Sequence, residues 1–146
     1  QNRIPAGKLK NVRTSAAVLS ELVKRLIEHL GQWCIEKVIL SKQPDFIEKN
    51  QIILDADKVG NIVLRYWKAG DRFSPRGING SKKLARVMRD LHISAGERRI
   101  WPLVADENHI YWIAFLRGSN YGLPDKNTKK YLLITLKKEN REDEES

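Results

Sequence analysis

Gly77 and Gly80 stand three residues apart, and Ser81, Lys82 and Lys83 follow directly. Glycines let the backbone come close to a ligand, and a hydroxyl with two ammonium groups behind them can hold a phosphate. The apolar spacing of Leu84, Val87, Met88 and Leu91 then predicts a helix with a continuous core stripe. With Ser81 as its N-cap, Lys82 and Lys83 fall in the first turn, where cations oppose the helix dipole. A bound anion would resolve that conflict, taking the free N–H groups and both ammonium groups together. Lys82, Arg86 and Arg89 continue along the solvent side as a basic stripe, and Arg98 and Arg99 come after the helix. The plainer reading of the same residues is a turn, a cap and a solvated helix face. The glycine spacing lacks the Gly-Lys-Ser/Thr ending of a nucleoside-triphosphate loop.

Charge favours the anion-binding reading. Ten basic residues and three acidic ones lie between Arg65 and Arg99, which holds most of the chain's formal charge of +9. Charge concentrated in this way marks a site for a polyanion, with nucleic acid ahead of an acidic membrane surface. In "AGDRF", Gly70, Asp71 and Phe73 read as structural: a tight turn, a carboxylate taking backbone N–H groups, and a core ring. Arg72 either pairs with Asp71 or reaches a phosphate. Trp67 and Trp112 read as core. Arg117 is either a phosphate contact or half of a strand-end ion pair. His29, His92 and His109 have no ligand-like spacing, so no metal site is expected. No Ser/His/Asp or Cys/His arrangement suggests catalysis. Cys34 is the only cysteine, which excludes an internal disulfide and fits a reducing, cytoplasmic setting.

The elements that must position these residues come next. The 146 residues, 41% apolar, allow one modest domain with a packed core. Leu19, Leu22, Val23, Leu26, Ile27 and Leu30 predict an amphipathic N-terminal helix, capped by Thr14 or Ser15 and ended at Gly31. Trp33, Ile35, Val38 and Ile39 are read as a helical continuation, so residues 1–49 form a helical connector. Strands are expected over Ile52–Leu54, Ile62–Trp67, "RRIWPLVA", "HIYWIAFLRG" and "YLLITLKK", and residues 139–146 form an acidic, disordered tail. The fold class is α+β, with small mixed or antiparallel sheets and packed helices. No apolar run is long enough to span a bilayer. The chain opens at Gln1 and holds Met88 as its only methionine, so it is expected to be a piece of a longer protein.

Residues 54–94 together resemble the C-terminal domain of tRNA(Ile)-lysidine synthetases. The family pattern is met by Leu54 to Asp57, Leu64 and Arg65, Gly70 to Phe73, Pro75, Gly77, Gly80, Lys82 to Leu84, and Asp90. Arg98, Pro102, Leu103, Ile110, Trp112 and Arg117 match the strands that follow, and "NTKKYLLITL" resembles the closing strand. Phe115 stands where the family usually has Gly, and Ile93-Ser94-Ala95 where it often has Ile-Pro-Arg. The resemblance covers residues from about 50 to 136 and implies a tRNA-binding domain over residues 50–138, with a fold shared by part of a phenylalanyl-tRNA synthetase subunit. It implies an enzyme that uses ATP to join lysine to the wobble cytidine of isoleucine tRNA. Its adenylating motif is absent from this chain, so neither ATP nor lysine is expected to bind here. The implied partners are isoleucine tRNA, on its acceptor-stem side, and the catalytic domain of the same protein, with a homodimer as a further possibility. The competing expectation is a docking or dimerisation module that uses the apolar face of the first helix, and a weaker third is a general single-strand RNA binder.

Overall fold

The computed structural model describes residues 33–138; the helix expected from Thr14 and the acidic tail lie outside the described residues. The strands are β1 (Trp33–Leu40), β2 (Gln51–Asp55), β3 (Val63–Arg65), β4 (Arg72–Phe73), β5 (Lys82–Lys83), β6 (Leu103–Ala105), β7 (Ile110–Ile113), β8 (Arg117–Gly118) and β9 (Tyr131–Lys138). One α-helix, α1 (Leu84–Asp90), and a 3₁₀ turn at Glu97–Arg99 complete the described elements. Three antiparallel sheets result, with orders β1-β9-β2, β3-β6-β7-β8 and β4-β5.

The four-stranded sheet is the middle layer. Its strands β6 and β7 are buried along their whole length, so both faces must be covered. Successive side chains of β6 supply the two faces: Leu103 and Ala105 pack with Phe73, Leu84, Val87 and Met88 below α1, while Val104 packs with Leu54, Leu132, Ile134 and Leu136. The second group follows from the alternation of β9, which buries every other residue from Leu132 to Leu136. Pairing of Ile52 with Ile134 and Leu54 with Leu132 fixes the register, because a one-residue slip would turn all of them to solvent. The observed class is the expected α+β with antiparallel sheets.

Three local expectations need correction. Residues 33–40 are not a helical continuation but strand β1, paired with β9 from Trp33↔Lys138 to Leu40↔Tyr131. Its partly buried Trp33 and Ile35 lie two apart, and β9 offers an edge for pairing, so period two overrides a short helical spacing. Val63–Arg65 is shorter than the strand expected over 62–67. "RRIWPLVA" divides into the 3₁₀ turn and β6, and "HIYWIAFLRG" into β7 and β8. The break between the latter is a tight turn closed by Leu116 N–H to the Ile113 carbonyl at 3.0 Å, with Phe115 at φ +68°. That left-handed backbone is why the family pattern favours Gly at this position. Phe115 offsets the strain by packing its ring against Trp33 and Trp112, with centroids 5.6 and 6.0 Å away.

Candidate nucleic-acid interface

The hairpin of β4 and β5 brings the basic residues to the surface. Arg72 pairs with Lys83 and Phe73 with Lys82, and buried Phe73 anchors the hairpin in the core. This pairing keeps the chain extended through Lys83, which is itself the residue before the helix, at φ −58° and ψ 130°. Ser81 is therefore not the N-cap, and Lys82 and Lys83 are not in the first helical turn. The Asp71 carbonyl takes the Leu84 N–H at 2.8 Å, so the helix start is tied to β4. The geometry expected for an anion at this turn, with both ammonium groups inside the first helical turn, falls with it. Ser81 instead serves Arg72, whose Nε donates to the Ser81 hydroxyl and Nη2 to the Ser81 carbonyl, both at 2.9 Å.

Gly70, Asp71 and Phe73 occupy the turn, acceptor and core places read for them, but Asp71 pairs with Arg65 and not with Arg72. Asp71 takes the Lys68 N–H at 2.8 Å and both terminal nitrogens of Arg65 at 2.9 and 3.0 Å. Burial alone would raise its pKa; the Arg65 and Lys68 hydrogen bonds overcome that and hold it below the usual range. Gly70 lies at φ +92°, and Gly77 and Gly80 at +85° and +83°, a backbone that side chains rarely accept. Gly70 shapes the turn before β4, and Gly77 and Gly80 the 75–80 loop. Asn120 fastens that loop: its Oδ1 takes the Gly77 N–H, and its Nδ2 donates to the Pro75 and Ile78 carbonyls. Nothing in the sequence pattern singled out Asn120, since its partners are more than forty positions away.

Helix α1 buries Leu84, Val87 and Met88, each contributing roughly 1.5–3 kcal/mol from apolar burial. Its end is a Schellman motif: the His92 N–H reaches the Arg89 carbonyl, and the Ile93 N–H the Met88 carbonyl, with His92 at φ +63°. Ile93 drops into the core beside Met88 and turns the chain back along the helix. Ser94 and Glu97 then cap the 3₁₀ turn reciprocally, the Ser94 N–H on Glu97 Oε1 and the Glu97 N–H on the Ser94 hydroxyl.

This return path encloses an open groove of about 400 Å³ beside α1. Lys83, Arg86, Arg89 and Arg98 surround a floor that includes Ala85, Ile93 and Ala95. Four of the seven basic residues singled out in the sequence thus meet in one depression. Lys82, Arg72 and Arg99 do not line it. Arg98 lies with its guanidinium carbon 5.0 Å from the centre of the Trp67 ring, which fixes the orientation of the cation. Trp67 is half-buried and packs on the core as expected, but as a platform for Arg98. Among the described residues the ion pairs are Lys58 with Asp55 and Asp125, Arg65 with Asp71, and Lys137 with Glu36. None involves a groove cation. No group of His, Cys, Asp and Glu among the described residues is arranged to hold a metal ion. None of their helices is long and apolar enough to cross a membrane.

The fold and surface define a three-layer α+β domain with a cationic groove whose charges have no carboxylate partner among the described residues. The family model described as "TilS substrate C-terminal domain" matches residues 62–134, and the chain belongs to that family. A tRNA(Ile)-lysidine synthase of Caldanaerobacter subterraneus subsp. tengcongensis is 40% identical over 115 residues, 77% of this chain and 25% of that protein. One of Clostridium acetobutylicum is 40% identical over 92 residues, 62% of this chain and 20% of that protein. The chain thus spans about a quarter or less of the curated relatives it matches. A solved structure, "Crystal structure of TILS C-terminal domain", aligns with TM-score 0.63 and 24% identity over 74% of this chain and 85% of that one, and supports the fold.

Proposed function

We propose that this chain is the tRNA-binding C-terminal portion of a tRNA(Ile)-lysidine synthase, and that its α1 groove holds the phosphate backbone of the tRNA. The carrying observation is the groove itself: Lys83, Arg86, Arg89 and Arg98 converge, and no carboxylate of a described residue neutralises any of them. Like charges brought together repel, and an RNA backbone is a partner that removes the repulsion. The small apolar floor lets a ribose-phosphate strand lie close. An A-form stem shows mainly shape, phosphates and 2′-hydroxyls, so the domain positions the tRNA and reads few bases. Arg72, Lys82 and Arg99 do not line the groove and add only to the positive field around it. Joining lysine to the wobble cytidine, with ATP, falls to the part of the relatives that this chain does not span; here the domain delivers the substrate.

The test is binding of isoleucine tRNA to the 146-residue chain across a salt series. Four phosphate contacts predict a slope of log affinity on log salt of roughly −3 to −3.5. Reversing Arg86 and Arg89 to Glu should flatten it and weaken binding at low salt by at least about ten-fold. A slope near zero for the wild type, or unchanged binding in the double reversal, overturns the reading. Equal affinity for an unstructured oligonucleotide would turn it into general single-strand binding.

A further inference from the structure

A second pair of cations lies apart from the α1 groove. Arg76 is in the 75–80 loop and Arg117 on β8. Arg117 Nη2 donates to the Arg76 carbonyl at 3.0 Å, and the Arg76 N–H donates to the Gly118 carbonyl, also at 3.0 Å. The Arg76 guanidinium lies against Gly118: a Cβ there would come within 2.7 Å of Nη2 and 3.0 Å of Cζ. Glycine at this position leaves the space the side chain occupies. Among the described residues the Arg76 side chain makes one hydrogen bond, a long one, from Nε to the Ser119 carbonyl at 3.4 Å. No carboxylate of a described residue pairs with either arginine. Burial, and then repulsion from Arg117, both work against the charge on Arg76. The loop that carries it is held rigid by Asn120 through three hydrogen bonds, so the pair is preset.

Two arginines on adjoining segments, each tied to a backbone carbonyl of the other's segment and neither paired with a carboxylate of a described residue, are an incomplete arrangement. Each presents planar N–H donors suited to bidentate binding of a phosphate, and a shared dianion or diester would cancel their repulsion. We infer that Arg76 and Arg117 together form a second phosphate-binding site, occupied by the RNA backbone at a point distinct from the α1 groove. This rests on the tRNA-binding reading above, and adds a second anchor that fixes the direction of the strand where the groove alone fixes a position.

The experiment measures the salt dependence of isoleucine tRNA binding for wild type, Arg76→Gln, Arg76→Lys and Arg86→Gln, with near-ultraviolet circular dichroism confirming the fold of each. Arg76→Gln should flatten the slope by about 0.7–0.9, one contact, while Arg76→Lys keeps most of it. A merely structural Arg76 would show no such difference between Gln and Lys. Gly118→Ala should displace the guanidinium and weaken binding without changing the fold. Nitrogen-15 spectra of the arginine side chains supply the second readout: tRNA should shift the Nε–H signals of residues 76 and 117. Shifts with inorganic phosphate but not with tRNA overturn the RNA assignment in favour of a small-anion site. A wild-type slope in Arg76→Gln beside a flattened one in Arg86→Gln overturns the arginine pair alone. Absence of tRNA binding by the wild type overturns both this site and the function it rests on.

Discussion

Two polar regions of this domain are opposites. Around Asp106, every polar partner is in place: the carboxylate takes the Tyr111 hydroxyl at 2.5 Å and the backbone N–H groups of Gly60, Asn108 and His109 at 2.8 Å each. Around the α1 groove, Arg86, Arg89 and Arg98 have no acceptor among the described side chains. One region is complete as folded, and the other is complete only with a ligand. The difference separates charged residues that make the fold from those that use it. It predicts that substitutions at the first will cost stability and leave binding by the folded fraction alone, with the reverse at the second.

The largest effect belongs to Asp106. Asp106→Ala leaves a buried Tyr111 hydroxyl and three backbone donors without their acceptor, and should cost about 3–5 kcal/mol in urea unfolding. The same carboxylate gives a pH signature. Burial alone would raise its pKa, but the Tyr111 hydroxyl and the three N–H groups lower it to about 2 from 3.8. A carboxylate with a depressed folded pKa adds stability above the unfolded value and loses it as pH falls through the folded one. The wild type should therefore lose about 2 kcal/mol of stability between about pH 4.5 and 2 from this group, and Asp106→Asn should not show that loss. Tyr111, with its pKa raised by burial and by Asp106, stays protonated throughout that window.

Next in size is the Arg65–Asp71 pair, which joins β3 to the turn that starts the hairpin. Asp71→Ala should destabilise by about 1–3 kcal/mol, because Arg65 and the Lys68 N–H lose their acceptor in a half-buried setting. It also tests how far the two regions are independent. The Asp71 backbone holds the start of α1, so a shift of the hairpin would reach Lys83. An unchanged salt slope for tRNA in the folded mutant keeps the regions separate; a changed slope joins them. Phe115→Gly comes below this. It relieves a left-handed backbone, worth about 1–2 kcal/mol, but removes a ring packed on Trp33 and Trp112. The net change should lie within about 1.5 kcal/mol of zero by thermal unfolding, and a large gain would show that the ring contributes little.

These magnitudes also mark how far a reader of the sequence can go. The periodic segments were legible because their burial is local in pattern: β9 came out as the whole of "YLLITLKK", and the α1 stripe as Leu84, Val87 and Met88. Strand β1 was not, because what makes Trp33–Leu40 extended is the edge of β9, about a hundred residues away. The composition of the basic cluster was legible, but its partition was not. Whether Lys82 and Lys83 belong to a helix or to a hairpin is decided by pairing with Arg72 and Phe73, which overrides the local capping signal of Ser81. Arg117 was legible as a candidate phosphate contact, but its association with Arg76 was not, since a loop pinned by Asn120 brings them together.

The smallest expected effect on stability, and the sharpest on the comparison, lies between two adjacent lysines. Neighbouring residues of a strand point to opposite faces, and Lys83 lines the groove while Lys82 does not. Both are exposed, and Lys→Gln at either should change stability by less than about 0.5 kcal/mol. Their binding should diverge. Lys83→Gln should flatten the salt slope for tRNA by about 0.7–0.9, and Lys82→Gln should leave it close to the wild-type value. If the two lysines contribute equally, the RNA is held by the net charge of the hairpin rather than by a groove with a defined face. The convergence of Lys83, Arg86, Arg89 and Arg98 would then be a consequence of packing, and the contrast with Asp106 would reduce to burial alone.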